Sequence, residues 1–195
     1  EPADENNRQE DAMYEESKYA AGLLMYGYSR LPYSTSTETD VATDDAVTNN
    51  TNSNFLNMAT GTWAADNNPM SQWDKCKDGI QYLNKFLTIV DKVKWAPSAA
   101  SKQQMFIDRQ KGEAYGLRAL LYYYLLQAHG GYADDNILYG VPLLTTPEDG
   151  SSDFNQPRAL FSDCVKLCFA DCDSAMKYLP MDYVDVAYDD IPAKY

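Results

Sequence analysis

The sequence predicts an all-α fold built from tetratricopeptide-like helical repeats joined by long irregular loops. Three observations support this. Apolar residues recur at steps of three and four in four segments of the 195-residue chain, as expected for amphipathic helices. The segments between them are rich in Ser, Thr, Asn, Asp, Gly and Pro, which is typical of loops. Small residues in the fourth segment, followed by a proline, have the spacing of the second helix of a tetratricopeptide repeat.

The first helix is predicted over residues 7–31 and ends at Pro32, which cannot continue a helix. Its apolar face is formed by Tyr14, Ser17, Ala21, Leu24, Tyr28 and Leu31. Residues 33–69 have no lasting period and many polar side chains, so we expect a long loop there. A loop of this length within a compact domain is usually functional or mobile.

The second helix is predicted to start with a capping box formed by Ser71 and Asp74. Its face carries Trp73, Cys76, Ile80, Leu83, Leu87 and Val90, and the segment Trp95 to Pro97 marks its exit. The third helix is expected over residues 102–128, with Gly130 as a left-handed cap. Gly116 within it suggests a close contact with another helix, because glycine costs roughly 1 kcal/mol relative to alanine in a helix.

A second irregular stretch is expected over residues 131–153, with residues 141–144 briefly extended because Pro142 cannot lie within a helix. The fourth helix follows, and its face carries Phe161, Val165, Cys168, Cys172, Ala175 and Leu179. The third helix would be its repeat partner. Residues 181–195 mix Asp, Tyr and Pro and are interpreted as a loop.

The composition fits one globular domain and excludes some kinds of partner. An apolar fraction of 45% with 13% aromatic residues is enough for a substantial core. The formal net charge of −13 argues against nucleic acid and against an electrostatic membrane patch, because both require clustered Lys and Arg. No apolar run approaches the roughly 20 residues that span a bilayer, so any membrane anchor is expected outside this chain.

Enzymatic chemistry finds little support in the sequence. The single histidine, His129, precedes two glycines at a predicted helix end, where the helix dipole would favour its cationic form. Glycoside hydrolysis needs two carboxylates roughly 5 to 10 Å apart, but the acidic pairs 44–45 and 134–135 are sequence neighbours. Calcium binding by Asp134, Asp135 and Asn136 lacks the spacing of an EF-hand loop. We therefore expect no catalytic residue, no cofactor and no metal site.

Four cysteines occur, at Cys76, Cys164, Cys168 and Cys172. They are too few and too clustered for a disulfide framework. We expect them to be small buried apolar residues; the alternatives weighed against this are, first, one disulfide from Cys76 and, last, metal binding by the thiols.

Several segments resemble the signature of the SusD/RagB family. Residues 111–126, with the sequence KGEAYGLRALLYYYLL, are followed by His129-Gly130-Gly131 and then by the segment GVPLL at 140–144. Three further elements fall in the family order: residues 42–45 with the sequence ATDD; Trp73, Ile80 and Asn84; and Arg158, Asp171, Ala175, Leu179 and Pro180. One departure is Leu160, which stands where the family usually places a Ser or Thr cap, so the fourth helix is expected to start at Ser162.

The resemblance implies a function and a cellular setting. Members are lipid-anchored nutrient-binding proteins on the outer membrane of Gram-negative bacteria, which capture oligosaccharides and pass them to a TonB-dependent SusC-like transporter. Members are typically more than twice as long, so residues 1–195 are expected to be the N-terminal tetratricopeptide-like part. The implied anchor is an acylated cysteine outside this chain. Within the signature, Glu113, Arg118, Gly130 and Gly131 are expected to shape the scaffold.

Sugar binding requires aromatic faces for the C–H faces of pyranoses and polar side chains for the hydroxyls. Aromatic residues in loops are better candidates than those at helical spacing, which usually pack in the core. On this basis Trp73 is interpreted as structural. The candidate ligand-binding residues are Trp63, Asp66, Asn67, Asn68, Trp95, Tyr132 and Tyr139.

Two alternative functions remain. One is a tetratricopeptide scaffold that binds a protein or peptide without sugar recognition, which predicts that the loop aromatics are buried and that a groove between helices is open. The other is a carboxylate-based hydrolase, which needs two carboxylates facing each other across a cleft. Sugar binding instead predicts exposed loop aromatics such as Trp63 or Trp95.

Overall fold

The computed structural model of the chain describes residues 11–32, 37–62, 64 and 68–180. The prediction of an all-α fold is confirmed, since these residues are mostly helical and the sheet among them is a two-stranded hairpin. The helices are Ala12–Glu15 (α1), Ser17–Ser29 (α2), Asn54–Ala59 (α3), Trp73–Ile89 (α4), Gln103–His129 (α5) and Phe161–Tyr178 (α6). The strands are Gly131–Tyr132 (β1) and Leu138–Tyr139 (β2). Short 3-10 turns occur at Thr37–Ala42, Val90–Lys92 and Ala100–Lys102.

Helix α5 is the centre of the fold and packs against α2, α4 and α6. Because it has a neighbour on several sides, its buried residues do not form a single stripe, as expected for a helix enclosed by others. The shared core is formed by apolar side chains of the four helices, among them Leu24, Ile80, Leu83, Phe86, Ala114, Leu121, Tyr122, Leu125 and Cys164. Among the described residues, no helix is both long enough and apolar enough to cross a bilayer.

Helices α5 and α6 pack in antiparallel orientation. Near the start of α5, a Cβ added at Gly112 would lie 2.6 Å from Leu179 Cγ, just beyond the end of α6. At the other end of α5, a Cβ at Gly130 would lie 2.9 Å from the ring of Phe161, which begins α6. The tightest approach inside α5 is therefore at Gly112. The sequence predicted a close helix contact at Gly116, but a Cβ added there would lie only in ordinary van der Waals contact with α6. The tetratricopeptide arrangement of this pair remains a prediction.

The first predicted helix is divided in two. Glu16 has φ −113° and ψ 89°, which interrupts the helical backbone between α1 and α2. The predicted face is otherwise confirmed, because Leu24 is buried and Ala21, Tyr28 and Leu31 pack against the core. Residues 7–10 of that helix and the predicted loop 181–195 lie outside the described residues.

The region predicted as one long loop, 33–69, contains a 3-10 turn and the short helix α3. The predicted capping box at the start of α4 is wrong, since no side-chain capping bond forms and α4 begins at Trp73. Ser71 Oγ instead accepts a long hydrogen bond of 3.4 Å from the Trp73 backbone. The polar composition of residues 33–69 therefore predicted an irregular segment, but it did not predict the two short helical pieces within it.

The end of α5 and the start of α6 also differ from the predictions. Gly130 is extended, with φ −74° and ψ 143°, and is not a left-handed cap. The chain continues from it directly into β1, and Gly130 is needed for space, because a Cβ there would lie 2.6 Å from Leu126 O. Helix α6 begins at Phe161, one residue before Ser162, because the extended Leu160 bridges to Tyr139.

All four cysteines are free thiols. Cys76 and Cys164 are fully buried, as expected for small apolar residues, and Cys168 is partly buried. The expectation is wrong for Cys172, which is exposed because α6 turns the stripe of Cys164, Asp171 and Ala175 towards the core instead.

One buried polar network joins three helices to the segment after the hairpin. The guanidinium of Arg118 on α5 donates to both carboxylate oxygens of Asp171 on α6, at 2.8 and 2.7 Å, and to Asn84 Oδ1 on α4 at 2.7 Å. Asn84 Nδ2 in turn donates to the carbonyls of Leu144 and Thr146, at 3.0 and 3.1 Å. Buried polar groups need such partners, so the network fixes the path of the chain through residues 144–146.

Candidate functional site

The C-terminal end of α5 brings together several of the residues that the sequence singled out. Asn68 Nδ2 donates to the carbonyl of Ala128 in the last turn of α5 at 3.1 Å, and Asn68 Oδ1 accepts from Met70 N at 2.9 Å. Tyr132 and Tyr139 lie on β1 and β2, which follow α5 immediately. We refer to Asn68, His129, Tyr132, Tyr139 and Arg158 as the hairpin surface.

The hairpin itself is short and held by one acidic side chain. Strands β1 and β2 are antiparallel, with Tyr132 opposite Leu138. In the turn, Asp135 accepts from Ile137 N through Oδ1 and from the Tyr139 hydroxyl through Oδ2, both at 2.9 Å. The bond to Asp135 raises the pKa of Tyr139. Tyr132, at 72% exposure, is the most exposed aromatic side chain of the described residues.

Arg158 fixes this hairpin against the end of α5. Its guanidinium donates to three backbone carbonyls, those of Gly140 and His129 at 2.8 Å and that of Tyr139 at 3.1 Å. The guanidinium carbon also lies 5.8 Å from the centre of the Tyr139 ring, within the range of a cation–π contact. The resemblance had marked Arg158 as a motif residue, and the structure gives it this positioning role.

His129 closes the junction between α5 and α4. Its Nε2 accepts the backbone N–H of Gln72 at 3.2 Å and lies 3.3 Å from Ser71 Oγ, while its ring meets Trp73 edge-on at 5.3 Å. Burial lowers the pKa of His129, and the positive charge of Arg158 lowers it further. The expectation that the helix dipole would favour the cation is therefore wrong, because Nε2 must be unprotonated to accept the Gln72 bond.

Trp95 does not join this surface. Trp95 is only 7% exposed, its indole N–H donates to Val90 O at 2.9 Å, and its ring centre lies 6.1 Å from that of Phe86. It therefore packs in the core with its polar atom satisfied and presents no open face to a sugar. Trp63, Asp66 and Asn67 lie outside the described residues.

Sequence reasoning missed a polar cleft along α4, because the spacing of Trp73 marked it as a packing residue. The cleft has a volume of about 450 Å³. We call it the α4 cleft; its lining residues are Arg30, Trp73, Asp74, Lys75, Lys77, Asp78, Gln81 and Glu148. Trp73, Lys77 and Gln81 are four residues apart and so share one face of α4, which is the pattern that could have revealed it.

Several side chains of the α4 cleft are held by neighbours. The side-chain amide of Gln81 forms two hydrogen bonds with the backbone of Glu148, at 2.6 and 2.8 Å. Asp78 accepts from the hydroxyl of Tyr26 at 2.5 Å and pairs with Arg30 at 3.0 Å. Lys77 Nζ lies 5.2 Å from the centre of the Trp73 ring. The cleft is thus a preformed polar surface with an aromatic residue at one end.

A second, apolar groove lies between α5 and α6, with a volume of about 320 Å³. We call it the α5–α6 groove; it is lined by Tyr123, Leu126, Gln127, Phe161, Val165, Cys168 and Phe169. Phe169 is 65% exposed and Tyr123 is 51% exposed. In the part of the chain that the structure describes, no cluster of three or more His, Cys, Asp or Glu side chains is placed to hold a metal ion.

Comparison with known proteins decides the family. A sequence model of the SusD-like family described as "Starch-binding associating with outer membrane" matches residues 7–193. This chain belongs to the SusD-like family. The resemblance found in the sequence is confirmed, and so is the SusD-like fold. No curated protein matches the chain at a significant level.

Solved structures of SusD-like proteins share the fold at low sequence identity. A SusD-like protein from Bacteroides fragilis superposes with a TM-score of 0.72 at 16% identity, over 95% of this chain and 33% of its own. A SusD-like carbohydrate-binding protein from Bacteroides vulgatus superposes with a TM-score of 0.63 at 18% identity, over 89% of this chain and 38% of its own. The chain therefore spans between 33% and 38% of the length of these relatives.

Proposed function

We propose that this chain captures oligosaccharides at the cell surface without breaking bonds in them. The observation that carries the proposal is the match of residues 7–193 to a family described as starch-binding and associated with the outer membrane. The similar fold of a carbohydrate-binding protein from Bacteroides vulgatus supports it.

The hairpin surface has the chemistry that such binding needs. Tyr132 offers an exposed ring for the apolar face of a pyranose. The polar side chains of Asp135, Asn68 and Arg158, which are bonded to the hairpin or to the end of α5, offer acceptors and donors for hydroxyl groups. Because Asp135 and Arg158 also hold the hairpin, little side-chain freedom would be lost on binding. Tyr139 lies on the opposite face of the hairpin from Tyr132, because the register pairs it with Gly131, and it supports Asp135 and Arg158.

The proposed surface extends to the segment before Asn68. Trp63, Asp66 and Asn67 supply the residue types that sugar recognition uses, and Asn68, which follows them directly, is bonded to the end of α5. We include them in the proposed site and leave out Trp95, whose ring is buried.

The proposal includes a place in uptake. The captured oligosaccharide would be handed over to a SusC-like TonB-dependent transporter, with the protein held at the outer membrane by a lipid anchor outside this chain. The family description supports the location. The proposed mechanism consists of binding and release, which require no catalytic residue and no cofactor.

Isothermal titration calorimetry with neutral hexasaccharides tests the proposal. The panel is maltohexaose, xylohexaose, mannohexaose and a fructan hexamer, each titrated into the chain and into its Tyr132→Ala and Tyr123→Ala variants. Loss of one aromatic stacking contact is worth about 1 kcal/mol, so Tyr132→Ala should lower the affinity about fivefold. Tyr123→Ala, an exposed tyrosine in the α5–α6 groove, serves as the matched control and should bind as the wild type. Absence of binding to every sugar would contradict the proposal.

The alternative function, a scaffold that binds a protein or peptide, is favoured by one specific observation. The α5–α6 groove is open and almost entirely apolar, with Phe169 and Tyr123 exposed along it, which suits the apolar face of a helix. If this function is the correct one, Phe169→Ala and Tyr123→Ala abolish partner binding and the whole sugar panel gives no heat.

A further inference from the structure

We propose that the α4 cleft is a second saccharide subsite, which takes uncharged sugar units of the same oligosaccharide that the hairpin surface binds. The inference rests on the proposed function and adds to it both a location and a substrate class. Neither the sequence nor the family match points to this cleft.

Trp73 connects the two surfaces. Its side chain lines the α4 cleft, and its ring also lies 5.3 Å from the ring of His129 in the hairpin surface. Tyr132 follows His129 by three residues. Trp73 is therefore common to the cleft and to the His129 end of the hairpin surface, and this is the position at which one chain of sugar units would pass between them.

The dimensions of the α4 cleft suit a short run of sugar units. Trp73, Lys77 and Gln81 lie along one face of α4, and at 1.5 Å per residue this face extends for about 12 Å. The volume of about 450 Å³ is within the usual range of ligand sites, roughly 300 to 1,000 Å³. The aromatic ring of Trp73 lies at one end, and the rest of the surface is polar.

One carboxylate of the cleft, that of Asp78, and the backbone of Glu148 are held in place before any ligand arrives. Gln81 fixes the backbone of Glu148 through both atoms of its amide, so Gln81 acts as a positioning residue. Asp78 is held by Tyr26 and Arg30. Carboxylate oxygens accept strong hydrogen bonds from hydroxyl groups, and groups that are already ordered bind at a lower entropic cost.

The charges of the cleft favour an uncharged ligand. Its lining contains three cationic side chains, Arg30, Lys75 and Lys77, and three acidic ones, Asp74, Asp78 and Glu148. The cations are therefore balanced locally, while the whole chain carries a net charge of −13. A uronate or sulfate group would find no excess positive charge in the cleft and would be repelled by the surrounding field.

Calorimetry with the 195-residue chain tests the inference. The probes are the neutral hexamers named above and hexagalacturonate as an acidic hexamer. The variants are Lys77→Ala and Glu148→Ala, and the control is Lys166→Ala, which removes an exposed lysine on α6.

The expected result concerns the neutral hexamer that binds the wild type best. Each cleft variant should bind it at least fivefold more weakly, and the control should bind it as the wild type does. Lys77→Ala keeps the test valid if Glu148→Ala disturbs folding, because Lys77 bonds no backbone group in the described residues.

The indole N–H resonance of Trp73 gives a direct second readout. The chain has three tryptophans, so their indole signals can be assigned by Trp→Phe variants, and the Trp73 signal should shift as the neutral hexamer is added. If both cleft variants bind the neutral hexamer as tightly as the wild type and the Trp73 indole signal does not shift, the subsite is overturned and the proposed function still stands. Tighter binding of hexagalacturonate than of every neutral hexamer overturns the substrate class. Absence of binding to all hexamers overturns the proposed function together with the subsite.

Discussion

The guanidinium of Arg118 and the carboxylate of Asp171 form a bidentate pair in the core, with side chains that are 6% and 4% exposed. The pair joins α5 to α6, and the remaining amino group of Arg118 reaches Asn84 on α4. All three residues belong to the motifs that identified the family in the sequence. At these three positions, the motifs therefore build the frame of the fold.

Removing one partner of this pair should strongly destabilise the fold. Asp171→Ala leaves the buried guanidinium without its counter-ion, which typically costs about 3 to 5 kcal/mol. Urea unfolding followed by circular dichroism measures the loss in the free energy of unfolding. The control is Lys166→Ala, which breaks the exposed pair with Asp163 and should cost less than about 1 kcal/mol. A loss below that level for Asp171→Ala would mean that the pair is not buried in solution.

Two glycines of α5 should respond oppositely to alanine. At Gly112 the new Cβ would lie 2.6 Å from Leu179 Cγ and 3.2 Å from its backbone nitrogen, so the helices must separate, at a cost of about 1 to 3 kcal/mol. At Gly116 the nearest atom is the Cβ of Ala175 at 3.7 Å, so alanine fits and gains helix propensity of up to about 1 kcal/mol. Thermal unfolding should therefore show a lower midpoint for Gly112→Ala and a higher one for Gly116→Ala. Equal shifts would contradict the packing of α5 against α6.

His129 should make stability depend on pH. Because burial lowers its pKa in the folded chain, the unfolded chain binds the proton more readily. Its contribution to stability is complete above the ordinary histidine pKa of about 6.5 and is lost as the pH falls through the lower folded value. The stability difference between wild type and His129→Gln should thus fall between pH 7.5 and pH 5.

Nuclear magnetic resonance gives the same pKa directly, because the chain contains one histidine. The ring signals should titrate below the range of an exposed histidine. A pKa above that range would show that the Gln72 N–H is not bonded to the ring in solution.

The cysteines should differ sharply in reactivity. Cys172 is exposed, whereas Cys76 and Cys164 are fully buried, and burial raises the pKa of Cys76 and of Cys168 to about 11. Since the thiolate is the reactive form, iodoacetamide at neutral pH should modify Cys172 first, as read by mass spectrometry. The Cys172→Ser variant should remain largely unmodified under the same conditions. Early modification of Cys76 would indicate that the core around α4 opens.

The helices could be predicted well because their apolar period is long and sustained. The third predicted helix, 102–128, differs from α5 by one residue at each end, although the form of its cap at Gly130 was wrong. The cap could not be foreseen because the chain passes from Gly130 directly into β1, whose pairing with β2 forms only in the folded chain. The network of Arg118 likewise joins positions 34 and 53 residues apart in the sequence, and no local pattern shows which polar residues will be buried together.

The exposure of the candidate aromatic residues was harder to predict, for a related reason. An aromatic residue after a helix can point outwards, as Tyr132 does, or fold back onto its own helix end, as Trp95 does through its bond to Val90. Which of the two occurs depends on whether the side chain can bond to a backbone carbonyl that the helix end leaves unpaired. The amino-acid composition of the segment does not show this. Trp73 illustrates the opposite case, since its spacing indicates packing while part of its surface lines a cleft.

The segment between Glu148 and Arg158 has both ends fixed, one by the amide of Gln81 and the other by three backbone carbonyls. The residues between them contribute little to holding those ends. Once the ends of a loop are fixed, doubling its length costs only about 0.6 kcal/mol. Added length is therefore cheap at this place, which borders the α4 cleft. It is therefore a practical position for inserting a reporter peptide that leaves the helical frame undisturbed.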